Sequence, residues 1–252
     1  LYAHYRRHYT PNNAYVVIVG DGDAAALAEQ ASAAFAGLES GEPIQPPRAP
    51  EPPQMGEKRV VVRRAGGALP IVQLAFRSVA ATDPTAAALT ALSVALAGAG
   101  GGGDAASGRS SRLYRALVDT NLATDVDATF QLMKDPYLFW VEASLRPEVA
   151  HREVEERILA ELERLGAAPL AEAEFARVRR QLLASTAYPS DTVTGRAYRL
   201  GTLLSTGAAA SIGAWYQALA AVTADEIQRA AAATFRERGR TTGWFIPEDG
   251  AP

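Results

Sequence analysis

The chain has 252 residues, 48% of them apolar, which is enough for one large core or two ordinary ones. Its 25 Lys and Arg against 28 Asp and Glu leave a formal charge of -3, so no broad cationic surface exists for a phosphate backbone and nucleic-acid binding is excluded as the main role. No apolar run approaches the roughly 18 residues of a membrane span, and the lack of cysteine excludes disulfides and thiolate metal sites while leaving the compartment open, the periplasm being a first expectation.

The opening "LYAHYRRHY" begins directly in a helix-like pattern, without Met or a capping residue, and reads as part of something longer. The β-branched run "YVVIVGD" (15–21) predicts a buried strand, and "AAALAEQASAAFAGL" after it a helix. Residues 39–58 carry six prolines and almost no apolar periodicity. They read as an extended polyproline-like connector of up to about 60 Å at roughly 3.1 Å per residue, and they separate a segment 1–38 from a domain 59–252.

In that domain "RVVVRR" (59–64) and "PIVQLAF" (70–76) predict two paired strands, followed by an Ala/Leu-rich helix from about Pro84 to Ala97. The glycine stretch "GGGDAASGRSS" (101–111) comes next, and "SRLYRALV" resumes a helix. The segments "ATDVDATF" and "YLFWVEASL" alternate as two antiparallel strands, with Phe139, Val141, Ala143 and Leu145 on one face and Asp135-Pro136 between them. Four helices are expected afterwards, within "EVAHREVEERILAELERLG", "LAEAEFARVRRQLLAST", "DTVTGRAYRLGTLLSTG" and "TADEIQRAAAATFRERG". In the last, Thr223 and Glu226 have capping-box spacing and Ile227, Ala231 and Phe235 form one stripe. "TTGWFIPED" is a closing strand. The two ends, "HYRRHYTPNNAYVVIVGDGD" and "TFRERGRTTGWFIPEDG", share an aromatic-Arg helix end, a polar loop, an apolar strand and an acidic turn. This match makes 1–38 the tail of one repeat and 59–249 a whole second copy.

Four constellations invite chemistry. Gly103, Gly108, Arg109 and Ser110 are one substitution from G-x-x-x-x-G-K-[ST], but the pattern's lysine is missing and a helix rather than a strand precedes the loop, so a helix-to-helix connector is expected, with phosphate or nucleotide binding the rival. His4 and His8 stand at i, i+4 with Tyr5, Arg6 and Arg7 between them; the cationic surroundings and missing carboxylate predict a solvated helix end, not a metal site. His151 and Glu155 share that spacing, but the apolar stripe Val154, Ile158, Leu162 and Leu165 puts the histidine on a polar, solvated face. Asp125 and Asp127 share a strand face and read as an exposed edge. No G-x-S-x-G elbow is present.

Taken together, "YRRHYTPNNAYVVIVGDGD", the Pro-rich connector, "SGRSSRLYRALVDTNLATDVDATF", "DPYLFWVEASLRP" and "AVTADEIQRAAAATF" resemble the pitrilysin/insulinase-type zinc metallopeptidases, including the mitochondrial processing peptidase. The resemblance covers nearly the whole chain and implies an α+β fold, an antiparallel sheet covered by helices in a half-domain of the LuxS/processing-peptidase type. It further implies two homologous halves closing like a clamshell on an unfolded peptide, with zinc held in one half by an H-x-x-E-H helix whose Glu is the general base. No H-x-x-E-H occurs here, and Arg7 stands where that Glu would be. The resemblance therefore implies a noncatalytic C-terminal half, inactive alone and without a cofactor, whose catalytic half lies upstream or on a separate subunit and holds the zinc. The family's substrate-holding Arg and Tyr positions fall on Val118 and Thr124, so those two polar contacts are lost. The glycine stretch is similar to the glycine-rich loop of the processing peptidase's noncatalytic subunit, which implies substrate contact through Gly100, Gly101, Gly102 and Gly103, with Arg112 and Tyr114 beside it. The alternative is a purely structural, peptidase-like scaffold subunit. The Ala, Gly and Arg content suggests a bacterial source.

Overall fold

The computed structural model describes residues 1–45, 51–65, 69–99 and 108–248. Five strands form one sheet: β1 (Lys58–Ala65), β2 (Ile71–Arg77), β3 (Ala123–Phe130), β4 (Leu138–Leu145) and β5 (Arg240–Glu248), in the order β1-β5-β2-β4-β3. β2, β4 and β3 are mutually antiparallel neighbours, as the alternation of "ATDVDATF" and "YLFWVEASL" predicts. The expected pairing of β1 with β2 does not form. β5 inserts between them, parallel to β1 and antiparallel to β2. The five residues 66–70 can span about 16 Å when extended, enough to step over one strand at about 4.8 Å per spacing, so adjacency in sequence did not enforce adjacency in the sheet.

Among the described residues, helices cover one sheet face only. α3 (Ala86–Ala97) buries nine of its twelve residues, because alanines on several sides let the sheet and neighbouring helices approach it closely. α4 (His151–Ala167) presents Val154, Ile158, Leu162 and Leu165 inward, as its stripe predicts. α5 (Glu172–Ala187), α6 (Val193–Thr206), α7 (Ile212–Ala221) and α8 (Ala224–Thr234) complete the layer. Thr223 and Glu226 close the capping box at the start of α8, while Ile227 and Ala231 are fully buried. Beyond its end, Phe235 meets Phe76 and Phe139 edge-on, with ring centroids 5.0 and 5.2 Å apart.

Helix α7 was not expected; four helices were anticipated after the hairpin, and this is a fifth. Its signals are short-range ones: Gly207 ends α6 in the left-handed conformation at φ 74°, and the Ser211 side chain accepts from Ala214 N at 3.1 Å. Only Trp215 and Leu219 are buried, so its periodicity is brief.

Segment 1–38 contains α1 (Tyr2–His8), a 3-10 turn at Pro11–Asn13, and α2 (Ala24–Phe35), which Asp23 caps through Ala26 N at 2.8 Å. Neither helix buries a residue. The strand expected at 15–21 joins no ladder among the described residues, and Tyr15, Val16 and Ile18 are at least half exposed. Its composition is that of a buried strand, but no described strand lies beside it to share its backbone hydrogen bonds.

Candidate functional site

The face of the sheet without helices is built by the outward residues of each strand. One row runs from Asp127 of β3 through Glu142 of β4 and Gln73 of β2 to Gly243 of β5 and Val60 of β1. The Gln73 side-chain amide donates to Glu142 Oε2 at 3.0 Å. Asp125 and Asp127 do lie along an edge strand, as expected, yet they are not a bare pair. Burial first, and the charges of Asp127 and Asp125 second, hold the Glu142 carboxyl above its ordinary value of 4.5. At the opposite edge the cationic side chains are Lys58 and Arg64, four strand spacings or roughly 19 Å away.

A pH-dependent result follows from Glu142. Its folded carboxyl titrates above 4.5, so the carboxylate costs stability above that folded value, and the cost disappears once both folded and unfolded chains are protonated. Glu142→Gln, which retains an acceptor for Gln73, should stabilise the chain by about 0.5 kcal/mol at pH 7, roughly 1–2 °C in Tm, and by nothing below pH 4. Melting curves at the two pH values check this; an equal shift at both would assign the gain to packing rather than charge.

The glycine stretch departs from the end of α3, where Gly98 has φ 91°. Its far stem returns to the same place: a Cβ on Gly108 would lie 3.0 Å from the Ala97 carbonyl oxygen. Gly108 O accepts from Ser111 N at 2.8 Å, and a π-turn follows at Tyr114–Val118. A helix, not a strand, therefore precedes the loop, unlike the strand–loop–helix order of a phosphate cradle. Gly100, Gly101, Gly102 and Gly103 lie outside the described residues. Arg112 forks onto Glu174 of α5 with two bonds of 2.8 Å. Burial pushes the Glu174 carboxyl up, but the Arg112 bond and the charges of Arg112, Arg177 and Arg115 outweigh it and leave it below its ordinary value. Tyr114 is half-buried against the core. Val118 packs against the core too, and the Thr124 hydroxyl donates to Ser144 O at 3.1 Å.

The histidines do not converge. His4 and His8 stack with ring centroids 4.2 Å apart on α1, with no carboxylate joining them. His151 corrects the expectation of a solvated face: its Nε2 lies 2.8 Å from the Phe245 carbonyl oxygen, and its ring leans on Trp244 at 5.6 Å. Glu155, one turn on, is 3% exposed, accepting from Arg59 Nη1 at 3.1 Å and Trp244 Nε1 at 3.0 Å. Helix periodicity alone places both residues outward, but the C-terminal strand runs beneath that side of α4 and supplies their partners. The Arg59 bond to Glu155 holds its guanidinium more firmly protonated than usual. Glu57 joins the network: bonds from Arg240 and Thr242, each 3.0 Å, and the nearby guanidinium charges hold its carboxyl below the ordinary range against the pull of burial. Among the described residues no group of three or more His, Cys, Asp or Glu could hold a metal ion, so these donors do not fit zinc.

Comparison with known proteins agrees with this geometry. The zinc protease PqqE of Helicobacter pylori is 29% identical over 175 residues, which span 68% of the chain and 37% of that protein. The crystal structure of a protease from Helicobacter pylori superposes with a TM-score of 0.87 at 24% identity, covering 97% of the chain and 58% of the other. A peptidase M16 inactive domain from Pseudomonas fluorescens shares the fold with a TM-score of 0.71 at 18% identity, over 93% of the chain and 53% of its own length. The chain thus spans well under two thirds of these relatives. Residues 1–182 match the family described as the peptidase M16 inactive domain. With most of its length so matched and its donor groups engaged in structural pairs, the chain belongs to the family of M16 peptidase inactive domains.

Proposed function

We propose that the chain is the noncatalytic C-terminal half of a zinc metalloendopeptidase and forms one wall of a clamshell chamber in which peptides are cut. The observation that carries this reading is the sheet with helices on one side only. Its other face offers apolar side chains and both signs of charge to a polypeptide, with Asp127 and Glu142 toward one edge and Lys58 and Arg64 at the other. The catalytic half, bearing H-x-x-E-H on the same chain or a separate subunit, holds the zinc, which polarises the scissile carbonyl and its attacking water. Segment 1–38 is the tail of the preceding repeat, 39–58 is the linker and 59–252 the peptidase-like domain. The succession of helix, 3-10 turn and extended chain supports this division, since it occurs at α1, Pro11–Asn13 and 14–20 and again at α8, Glu237–Gly239 and β5.

The test is metal analysis and peptide hydrolysis by the purified chain, alone and with its catalytic half. Alone it should neither cleave nor retain zinc through dialysis; with the partner it should do both. One tightly held zinc in the isolated chain would overturn the reading.

Gly100, Gly101, Gly102 and Gly103 contact the incoming peptide in this reading, with Tyr114 at the stem and Arg112 anchoring that stem through Glu174. Deleting the four glycines from the two-half protein should lower turnover of long peptides and leave fold and zinc content intact, because the stem closes without them. Unchanged kinetics for long and short peptides would reduce the stretch to a connector.

A further inference from the structure

The Pro-rich connector has a nominal length of twenty residues, yet side chains hold it at both ends. Near its start, Asn12 pairs with Gly41 as one strand residue pairs with another. The Asn12 side-chain amide donates to Gly41 O at 3.1 Å, and Gly41 N donates to Asn12 Oδ1 at 3.0 Å. The fit admits no side chain, for a Cβ on Gly41 would lie 2.5 Å from Thr10 Cγ2. Near its finish, Arg77 at the end of β2 spreads its guanidinium over two successive carbonyls, Pro52 O at 2.6 Å and Glu51 O at 2.7 Å. Gln54 adds a bond of 2.6 Å to Arg240 O, at the start of β5. Pro52 and Pro53 cannot donate, so this part of the stretch is rich in unpaired carbonyls, and a forked cation is a side chain that suits them.

We propose that Asn12 and Arg77 are positioning residues that shorten the connector from both ends and thereby set how far the two halves can part. Between the clamps only residues 42–50 remain, nine of the twenty. Their reach is about 28 Å at roughly 3.1 Å per residue, against about 47 Å for 39–53, the stretch freed while Gln54 stays bound to Arg240. The local concentration of one tethered body at the other falls as about the −3/2 power of connector length, so releasing both clamps lowers it about twofold. For substrates the consequence is a size limit, and this part of the proposal rests on the chamber reading above.

The experiment uses the complete two-half protein with Asn12→Ala, Arg77→Gln and the double substitution. These 252 residues have no cysteine; with any cysteine of the catalytic half replaced by serine, Glu29→Cys on exposed α2 and Asp119→Cys beside the π-turn carry a pair of spin labels. The double variant should broaden the distance distribution between the labels, and should shift the ratio of kcat/KM for long over short peptides about twofold. An unchanged distribution overturns the clamps. A broadened distribution with an unchanged ratio overturns their control of substrate size. If the parent protein cleaves no peptide at all, the chamber reading fails, and the distance measurement still decides the clamps.

Discussion

Replacing Arg59 by alanine should lower the unfolding free energy by about 2–3 kcal/mol, one of the two largest effects expected of a single substitution here. Breaking a buried ion pair by removing one partner usually costs about 3–5 kcal/mol, because the other charge stays in a poorly solvated place. Glu155 is almost fully covered, while the Arg59 side chain is 49% exposed, which brings the figure toward the lower end. The asymmetry between the two partners is the informative part. Arg59→Ala strands a carboxylate under α4 with only Trp244 Nε1 left to it. Glu155→Gln keeps one acceptor for Arg59 Nη1 and Trp244 Nε1 but sets an amide NH2 against Arg59 Nη2, and it leaves a cation that water can reach, so about 1–2 kcal/mol is expected. The guanidinium also lies 5.9 Å from the Trp244 ring centroid, so Arg59→Lys should fall between the two. Urea unfolding of the three variants measures the order; an Arg59→Ala cost below that of Glu155→Gln would contradict it.

The second large effect is at Phe139, fully buried near the start of β4 opposite Phe76 and Phe130 and packed edge-on against Phe235. Phe139→Ala removes the ring and leaves a cavity bounded by β2, β4 and the segment after α8, which cannot collapse without moving a strand. About 3–5 kcal/mol is expected. Phe139→Leu should cost about half as much. Chemical denaturation with an unchanged m-value would confirm that stability, and not compactness, has changed.

Phe139 also marks what the sequence could reveal. Its alternation with Val141, Ala143 and Leu145 is a period-two signal that depends on burial of one strand face, and all four are buried in the structure. The stripe on α4 and the capping box of α8 were legible for the same reason: they depend on residues within one element. The order of strands was not, since inserting β5 between β1 and β2 is a pairing across some 180 residues that leaves no local trace. The helix layer's extra member, α7, was hidden by its two-residue anchor. At the site, the outward place of Asp125 and Asp127 could be read from alternation, whereas the engagement of His151 and Glu155 by Phe245, Arg59 and Trp244 required knowledge of which strand passes under α4. The clamps on the connector were equally silent, because Asn12 and Arg77 each bind backbone, and any backbone would have answered.

The position of β5 bears on how the domain is made. Of the five strands it is the latest in sequence and yet has neighbours on both sides, β1 and β2, the earliest two. A chain emerging in order from the ribosome can close β2 with β4 and β3, and wrap α3 against them, but β1 has no ladder to join until residue 240 and beyond arrives. Until then β1, with all eight residues exposed even in the finished fold, is an unpaired strand whose Val60, Val61 and Val62 are flanked by Lys58, Arg59, Arg63 and Arg64, charges that discourage association with other chains. The long separation of these contacts makes the last step slow relative to helix formation. Sheet closure thus waits for the last of the five strands, which completes it as a wedge between two partners.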